Sequence, residues 1–226
     1  MSRKWVDLTL AQWLAAGVVA VALFAASFVP GSITSPMEAF GFIFGVWAVY
    51  LVVKEEPWNW PLGIITSAAY VVVFAQARLW GDMGLNGLYV ILCALGWYWW
   101  LRGGEGKAEL PMTRTPPHEL ALCLIGVVLA TGGFYAWFTT NHNSAPLLDA
   151  ITTSISLGAQ YLQMRKHLEN WALWILVNAI YIPLYFSRGL WLTAVLYGIY
   201  LALAILGHRT WTANLNGKGT KSAALQ

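Results

Sequence analysis

The run NWALWILVNAIYIPLY, residues 170–185, places Trp174, Asn178, Tyr181 and Tyr185 at i, i+4, i+7 and i+11, along one face of a helix. A second stripe, Thr153, Ser156, Gln160 and Gln163, follows i, i+3, i+7 and i+10 on the segment before it. The two segments meet at one short connection, so at ~1.5 Å per residue Gln160 and Asn178 stand at similar depth. Amides both donate and accept hydrogen bonds, and aromatic faces stack on flat rings and attract cations. Such groups hold a ligand rather than make or break its bonds. A lone amide in an apolar run reads as a helix–helix hydrogen bond worth ~0.6–2 kcal/mol. Two amides on converging faces, flanked by Trp and Tyr, read as a ligand site.

Bond-making chemistry has no comparable seat. Asp7, Glu38, Asp82, Glu119 and Asp149 fall at or near the ends of apolar runs, and His118, His142, His167 and His208 are terminal or in loops. A proton-coupled carrier needs a titratable group inside the membrane. The tail NGKGTKS (216–222) lacks Walker A spacing, and no His/Cys cluster or nucleophile elbow occurs. Cys93 and Cys123 sit in apolar runs as small hydrophobes. The expectation is a protein that is not an enzyme, with no cofactor, no metal and no nucleic-acid partner. The amides and rings suit passive movement of a flat, weakly charged, hydroxylated heterocycle; chemistry alone leaves nucleoside, sugar and vitamin open.

The elements that must position these groups are membrane helices. The chain has 226 residues, 58% hydrophobic and only 10% charged, where soluble domains carry about 25% charged residues. Eight apolar runs of a length suited to a bilayer lie at roughly 8–29, 37–53, 58–77, 83–101, 119–139, 147–164, 171–187 and 190–207. Arg3 and Lys4 before the first run also fit a cleaved signal peptide ending near Ala25-Ala26, but its length and Asp7, Gln12 and Trp13 favour a retained helix. With the N-terminus inside, inner segments hold eleven Lys and Arg while outer ones hold only Arg78 and Arg188. Both termini are therefore expected in the cytoplasm, with the chain multi-pass in the inner (plasma) membrane.

The sequence also repeats. At a fixed offset of 111, Asn59-Trp60 falls on Asn170-Trp171, Tyr70 on Tyr181, Leu79-Trp80 on Leu190-Trp191, Gly87 on Gly198, Tyr89 on Tyr200, Gly96 on Gly207 and Trp100 on Trp211. The partners of Trp174 and Asn178 are Gly63 and Ser67, and those of Ser156, Gln160 and Gln163 are Gly45, Val49 and Val52, so polarity is concentrated in the second copy. The expected layout is all-α: an extra N-terminal helix (1–35), a three-helix bundle (36–101), a cytoplasmic loop (102–118), a linking helix (119–145), a second three-helix bundle (146–211) and a tail (212–226). Parallel repeats of this 3+1+3 kind place a substrate near mid-membrane at the repeat interface. Trp58, Trp60 and Trp97 to Trp100 read as interfacial anchors, and Gly45, Gly63, Gly87, Gly198 and Gly207 as points of close helix approach. Pro183 marks a kink.

The segments WPLGI (60–64), ARLWGDMGLN (77–86), GWYWW (96–100) and GLWLTAVLY (189–197) resemble the PnuC family of nicotinamide riboside transporters, over most of residues 37–211. The resemblance implies a fold related to sugar-carrying SWEET proteins, a homotrimer and facilitated diffusion of nicotinamide riboside, the substrate being trapped by a cytoplasmic kinase. It assigns the carboxamide or ribose to Asn178 and Gln160, ring stacking to Trp80, Trp174, Tyr181 or Trp191, and the rest of the polar lining to Asn86 and Tyr197. Where relatives are expected to carry Tyr, this chain has Trp80 and Trp191, which keep stacking and lose a phenolic hydrogen bond. The competing readings are a sugar carrier of the related fold and a vitamin-binding membrane component that needs a separate energising partner.

Overall fold

The computed structural model describes residues 36–76, 80–141, 145–187 and 191–223. The expected first helix, near 8–29, lies outside them. Seven α-helices occur among the described residues: α1 (Pro36–Val53), α2 (Asn59–Gln76), α3 (Trp80–Arg102), α4 (Pro117–Thr140), α5 (Pro146–Met164), α6 (Asn170–Ser187) and α7 (Trp191–Ala223). Met83–Arg102, Pro117–Thr140 and Asn170–Ser187 are long and apolar enough to cross a membrane. α1 packs on α2 and α7, α2 on α3, α3 on α5, α4 on α5, α5 on α6, and α6 on α7. The two ends of the series, α1 and α7, thus close the bundle, and α4 lies outside it, touching α5 and burying none of its own residues.

Both helix hairpins at one end are built alike. Each turns through a non-glycine residue at positive φ, Glu55 (59°) and Lys166 (57°), a conformation uncommon outside Gly, Asn and Asp. Each then starts its second helix with an Asn whose Nδ2 donates to the carbonyl three residues back, Asn59 to Glu56 and Asn170 to His167. The Asn that opens NWPLG and NWALW therefore holds the turn.

Four tryptophans fill the core above these hairpins. Trp60, Trp100, Trp171 and Trp211 are no more than 1% exposed. Trp60 meets Trp100 edge-on at 5.5 Å, Trp171 meets Trp211 edge-on at 5.4 Å, and Trp100 joins the two pairs at 6.2 Å from Trp211. The indole of Trp100 donates to the Gln163 carbonyl (2.9 Å) and that of Trp211 to the Val53 carbonyl (3.2 Å). The third and seventh helices are thereby pinned to α5 and α1. The reading of Trp60 and Trp100 as interfacial anchors is overturned. Gly96 lies under the Trp60 ring and Gly207 under that of Trp171, and the missing Cβ at each lets the ring turn inward. Trp58 and Tyr98, on the outward faces, are 54% and 60% exposed and fit the anchor role. Gly45 and Gly63 do receive close neighbours, Tyr200 and Cys93, whereas Gly87 and Gly198 have none within 4 Å of a built Cβ and are not approach points.

The segment between α3 and α4 is more than a polar connection. It makes a short 3-10 turn at Glu105–Lys107, buries Met112 against the tryptophan core, and pairs Thr113 with the α5–α6 hairpin. Thr113 N–H donates to the Lys166 carbonyl (3.2 Å), and Leu168 N–H donates back to the Thr113 carbonyl (2.9 Å). At the other end of the chain, α7 continues through the expected tail to Ala223. Trp211 and Leu215 pack on the core there, and Asn214 Nδ2 reaches Glu55 Oε1 at 3.1 Å, which holds the extension against the α1–α2 turn.

Candidate functional site

A cavity of about 350 Å³ opens between six of the helices, with no lining from α4 among the described residues. The polar stripe of α5 faces it through Ser156, Gln160 and Gln163, and the α6 stripe through Trp174, Asn178 and Tyr181. Opposite them stand Gly45, Val49 and Val52 of α1 and Gly63 and Ser67 of α2. These are the residues 111 positions earlier, so matched positions of the two copies look into one space. Those of α1 and α2 are small or apolar, and those of α5 and α6 are larger and more polar.

Asn178 is 4% exposed and Gln160 7% exposed, and among the described residues neither side-chain amide has a hydrogen-bond partner. Gln163 behaves differently: its Oε1 accepts from Trp174 Nε1 at 2.9 Å, which fixes the indole plane against the cavity. The far wall is a cluster of tyrosines. Tyr197 packs on Tyr181 at 4.6 Å and on Tyr185 at 5.0 Å, and Tyr200 meets Tyr197 edge-on at 5.6 Å. Tyr185, the last residue of the α6 stripe, stands behind Tyr181 and Tyr197 rather than on the lining.

Of the residues expected at the site, Asn178, Gln160, Trp174, Tyr181 and Tyr197 are brought together. Trp191 is not: it is 59% exposed and packs edge-on against Phe186 at 4.2 Å. It opens α7 six residues before Tyr197, or ~9 Å further along the helix axis, beyond the end of the cavity. Asn86 is half-buried on α3 and is not on the lining; it precedes Tyr89, which is, by one turn. Trp80 begins α3, and its side chain lies outside the described residues. Sequence reasoning missed Tyr89 and Tyr200, which line the cavity at matched positions. Their shared offset was the available signal, since a Tyr kept in both copies inside an apolar helix needs a reason.

The ion pairs sit at the hairpin end. No Lys, Arg, Asp or Glu lines the cavity among the described residues. Lys166 pairs with Glu55 at 3.4 Å and lies over the Trp100 ring at 4.8 Å. Glu119, at the start of α4, accepts from Tyr161 (2.8 Å) and pairs with Arg165 (3.3 Å); His167 Nε2 stands 3.3 Å from its other oxygen without hydrogen-bond alignment. Burial lowers the His167 pKa, and the neighbouring Glu119 carboxylate only partly opposes it. Burial pushes the Glu169 carboxyl up, but the Thr115 hydroxyl (2.6 Å) and N–H (2.7 Å), with Arg114, more than offset this and hold it below the ordinary range. Among the described residues no group of three His, Cys, Asp or Glu side chains is arranged to hold a metal.

The chain is similar to known proteins over this whole region. A family model described as nicotinamide mononucleotide transporter matches residues 35–213. The nicotinamide riboside transporter PnuC of Escherichia coli is 24% identical over 212 residues, covering 82% of this chain and 89% of that protein. The PnuC of Neisseria mucosa is 29% identical over 180 residues, covering 74% and 68%. The riboflavin/roseoflavin transporter RibM of Streptomyces davaonensis is 27% identical over 177 residues, covering 76% and 82%. A crystal structure of the vitamin B3 transporter PnuC superposes with a TM-score of 0.63 at 26% identity, covering 91% of this chain and 97% of that one.

Proposed function

The chain belongs to the nicotinamide mononucleotide transporter family, and from that premise we propose that this multi-pass membrane protein carries nicotinamide riboside by facilitated diffusion. One observation carries the reading. Asn178 and Gln160 are amides with no partner among the described residues, and both line a cavity walled by Trp174, Tyr181 and Tyr197. A buried amide without a partner costs ~1–3 kcal/mol, and a ligand bearing a carboxamide or hydroxyls returns both donor and acceptor. The pyridinium of nicotinamide riboside is flat and singly charged, and the aromatic walls suit it without a carboxylate.

The uncharged lining also supports the riboside over the mononucleotide. A phosphate dianion brought into the cavity would meet no Lys or Arg among the described residues, and an unpaired buried charge is strongly disfavoured. Nicotinamide mononucleotide is therefore expected to show no uptake where nicotinamide riboside does. Rejection of the phosphorylated form makes kinase trapping on the cytoplasmic side sufficient to drive net uptake. The 3+1+3 parallel-repeat architecture with an eighth helix, a SWEET-like relationship, a homotrimer, and location in the inner membrane with both termini cytoplasmic belong to the same proposal.

Uptake of labelled nicotinamide riboside into liposomes holding only this protein, without ATP or an ion gradient, tests it. Saturable uptake that stops at equal concentrations supports a uniporter. Binding without uptake would point to a missing energising partner, and the absence of both binding and uptake would end the proposal. Riboflavin and simple sugars in the same assay separate this substrate from that of the RibM relative and from a sugar carrier.

A further inference from the structure

The turns of the two hairpins carry opposite charges at matched positions. Glu55 and Lys166 are 111 residues apart, and each is the positive-φ residue of its turn. Lys166 Nζ stands 3.4 Å from Glu55 Oε2, so the two copies are joined to each other at this point. The Lys166 side chain is 8% exposed and that of Glu55 20%, and the ammonium also lies 4.8 Å from the centre of the Trp100 ring. Like charges at these positions would push the hairpins apart; opposite ones draw them together.

The pair lies across one end of the cavity. In the first hairpin the lining reaches Val52 near the end of α1 and Asn59 at the start of α2; in the second it reaches Gln163 and Trp171. Glu55 and Lys166 are the turn residues between those lining positions. α1 and α2 pack on each other and on α3 and α7, not on α5 or α6, so helix packing does not hold one hairpin against the other. The pair also gathers the segments around it. Asn214 of α7 donates to Glu55 Oε1 (3.1 Å), and the Thr113 N–H donates to the Lys166 carbonyl (3.2 Å).

We propose that the Glu55–Lys166 pair is the latch of the cavity's hairpin end, joined while that end is shut and parted when it opens to pass a ligand. This rests on the reading of the cavity as the site of a carrier. The energetics suit a latch better than a fixed strut. While the end is shut, neither charge can lose its partner without leaving the other poorly solvated, which holds the hairpins together. Once they part, water reaches both groups, and an ion pair in water is worth little. The cost of parting is thus largely returned by hydration, so this end can open while the tryptophan core stays packed.

Two measurements on the full chain test the latch. Cys93 lines the cavity and reports its opening through reaction with a small charged methanethiosulfonate in detergent, with Cys123→Ser to silence the other thiol. Glu55→Gln and Lys166→Met are each expected to speed Cys93 labelling about tenfold or more. Combining Glu55→Lys with Lys166→Glu should bring the rate back near wild type. Labelling unchanged in the single variants, or as fast in the exchanged pair as in them, overturns the latch. The second measurement is riboside uptake into liposomes by the double variant Glu55→Cys, Lys166→Cys, bridged with a bis-methanethiosulfonate. Bridging is expected to abolish uptake and reduction to restore it, while each single cysteine keeps its uptake through the same treatment. Uptake that survives bridging would make the pair a strut. If the wild type takes up no riboside, the carrier reading falls instead, and Cys93 labelling alone decides whether the pair shuts the cavity. Should Lys166→Met fail to fold, Glu55→Gln and the bridged pair give the decision.

Discussion

Replacing Asn178 by Leu should make the empty protein no less stable and the loaded one much weaker. Asn178 is 4% exposed, lines the cavity and makes no hydrogen bond among the described residues, so the empty protein draws no stability from its amide. Leu has nearly the same length and branching, which avoids the cavity that Ala would leave. Removing the orphaned amide should therefore leave the apo unfolding temperature unchanged or raise it, by ~2–4 °C per kcal/mol for a chain of this size. Binding moves the other way. A ligand carboxamide or hydroxyl that met Asn178 is left unpaired, and ~1–3 kcal/mol of lost affinity is about a five- to 150-fold rise in Kd. Thermal unfolding of both proteins in the same detergent, with and without nicotinamide riboside, reads both quantities. Unchanged affinity together with an unfolding temperature several degrees lower would refute the reasoning, because it would make Asn178 a helix–helix strut.

Gln163→Leu removes the acceptor that fixes Trp174; the expected loss is ~0.5–1.5 kcal/mol of riboside affinity with little change in apo stability, measured by the same titration. Gly96→Val puts a Cβ 2.5 Å from the Trp60 ring, and overpacking of this kind should cost ~1–3 kcal/mol of stability, seen as a lower unfolding temperature before any effect on ligand preference. Acid should release the α3–α4 segment. His167 is held below its ordinary pKa, so its contribution is complete above that value and fades as pH falls through it. Glu169 is likewise held below the ordinary carboxylate range, so its bonds to Thr115 hold at neutral pH and are lost further down. Hydrogen exchange at Thr113 and Thr115 should accordingly speed up as pH drops below the ordinary histidine range, after correction for intrinsic rates, and a flat profile would show that neither group secures the segment.

Side-chain periodicity made the two stripes legible, because three or four residues per turn fixes a face whatever surrounds it. That is why Ser156, Gln160, Gln163, Trp174, Asn178 and Tyr181 line one cavity as the sequence suggests. Position along the axis was harder. Trp191 and Asn86 were assigned from their segments, but the cavity stops near Tyr197 and Tyr89, and no local pattern in the sequence marks where a void ends. The tryptophans misled for a related reason. A Trp beside a basic loop is as compatible with an interface as with a core, and the deciding fact is the glycine one helix away: Gly96 for Trp60, Gly207 for Trp171. Such a pairing is a tertiary fact, although the offset of 111 between the two pairs carried a trace of it.

Symmetry and its loss divide the molecule by task. Where the copies agree, at Trp60 with Trp171 and Trp100 with Trp211, the residues are almost wholly buried, and Trp100 and Trp211 join α3 to α5 and α7 to α1 by indole-to-carbonyl bonds. A frame of that kind resists shear because displacing either half breaks a buried hydrogen bond. Where the copies differ, the contrast has one sense: Gly45 against Ser156, Val49 against Gln160, Gly63 against Trp174 and Ser67 against Asn178, all on one cavity. If both copies had kept the larger residue, two indoles and four amides would compete for about 350 Å³. If both had kept the smaller one, the cavity would be wide, greasy and without orientation. On the proposed reading an asymmetric lining resolves this: the small residues of α1 and α2 leave room, and the amides and indole of α5 and α6 would orient the ligand.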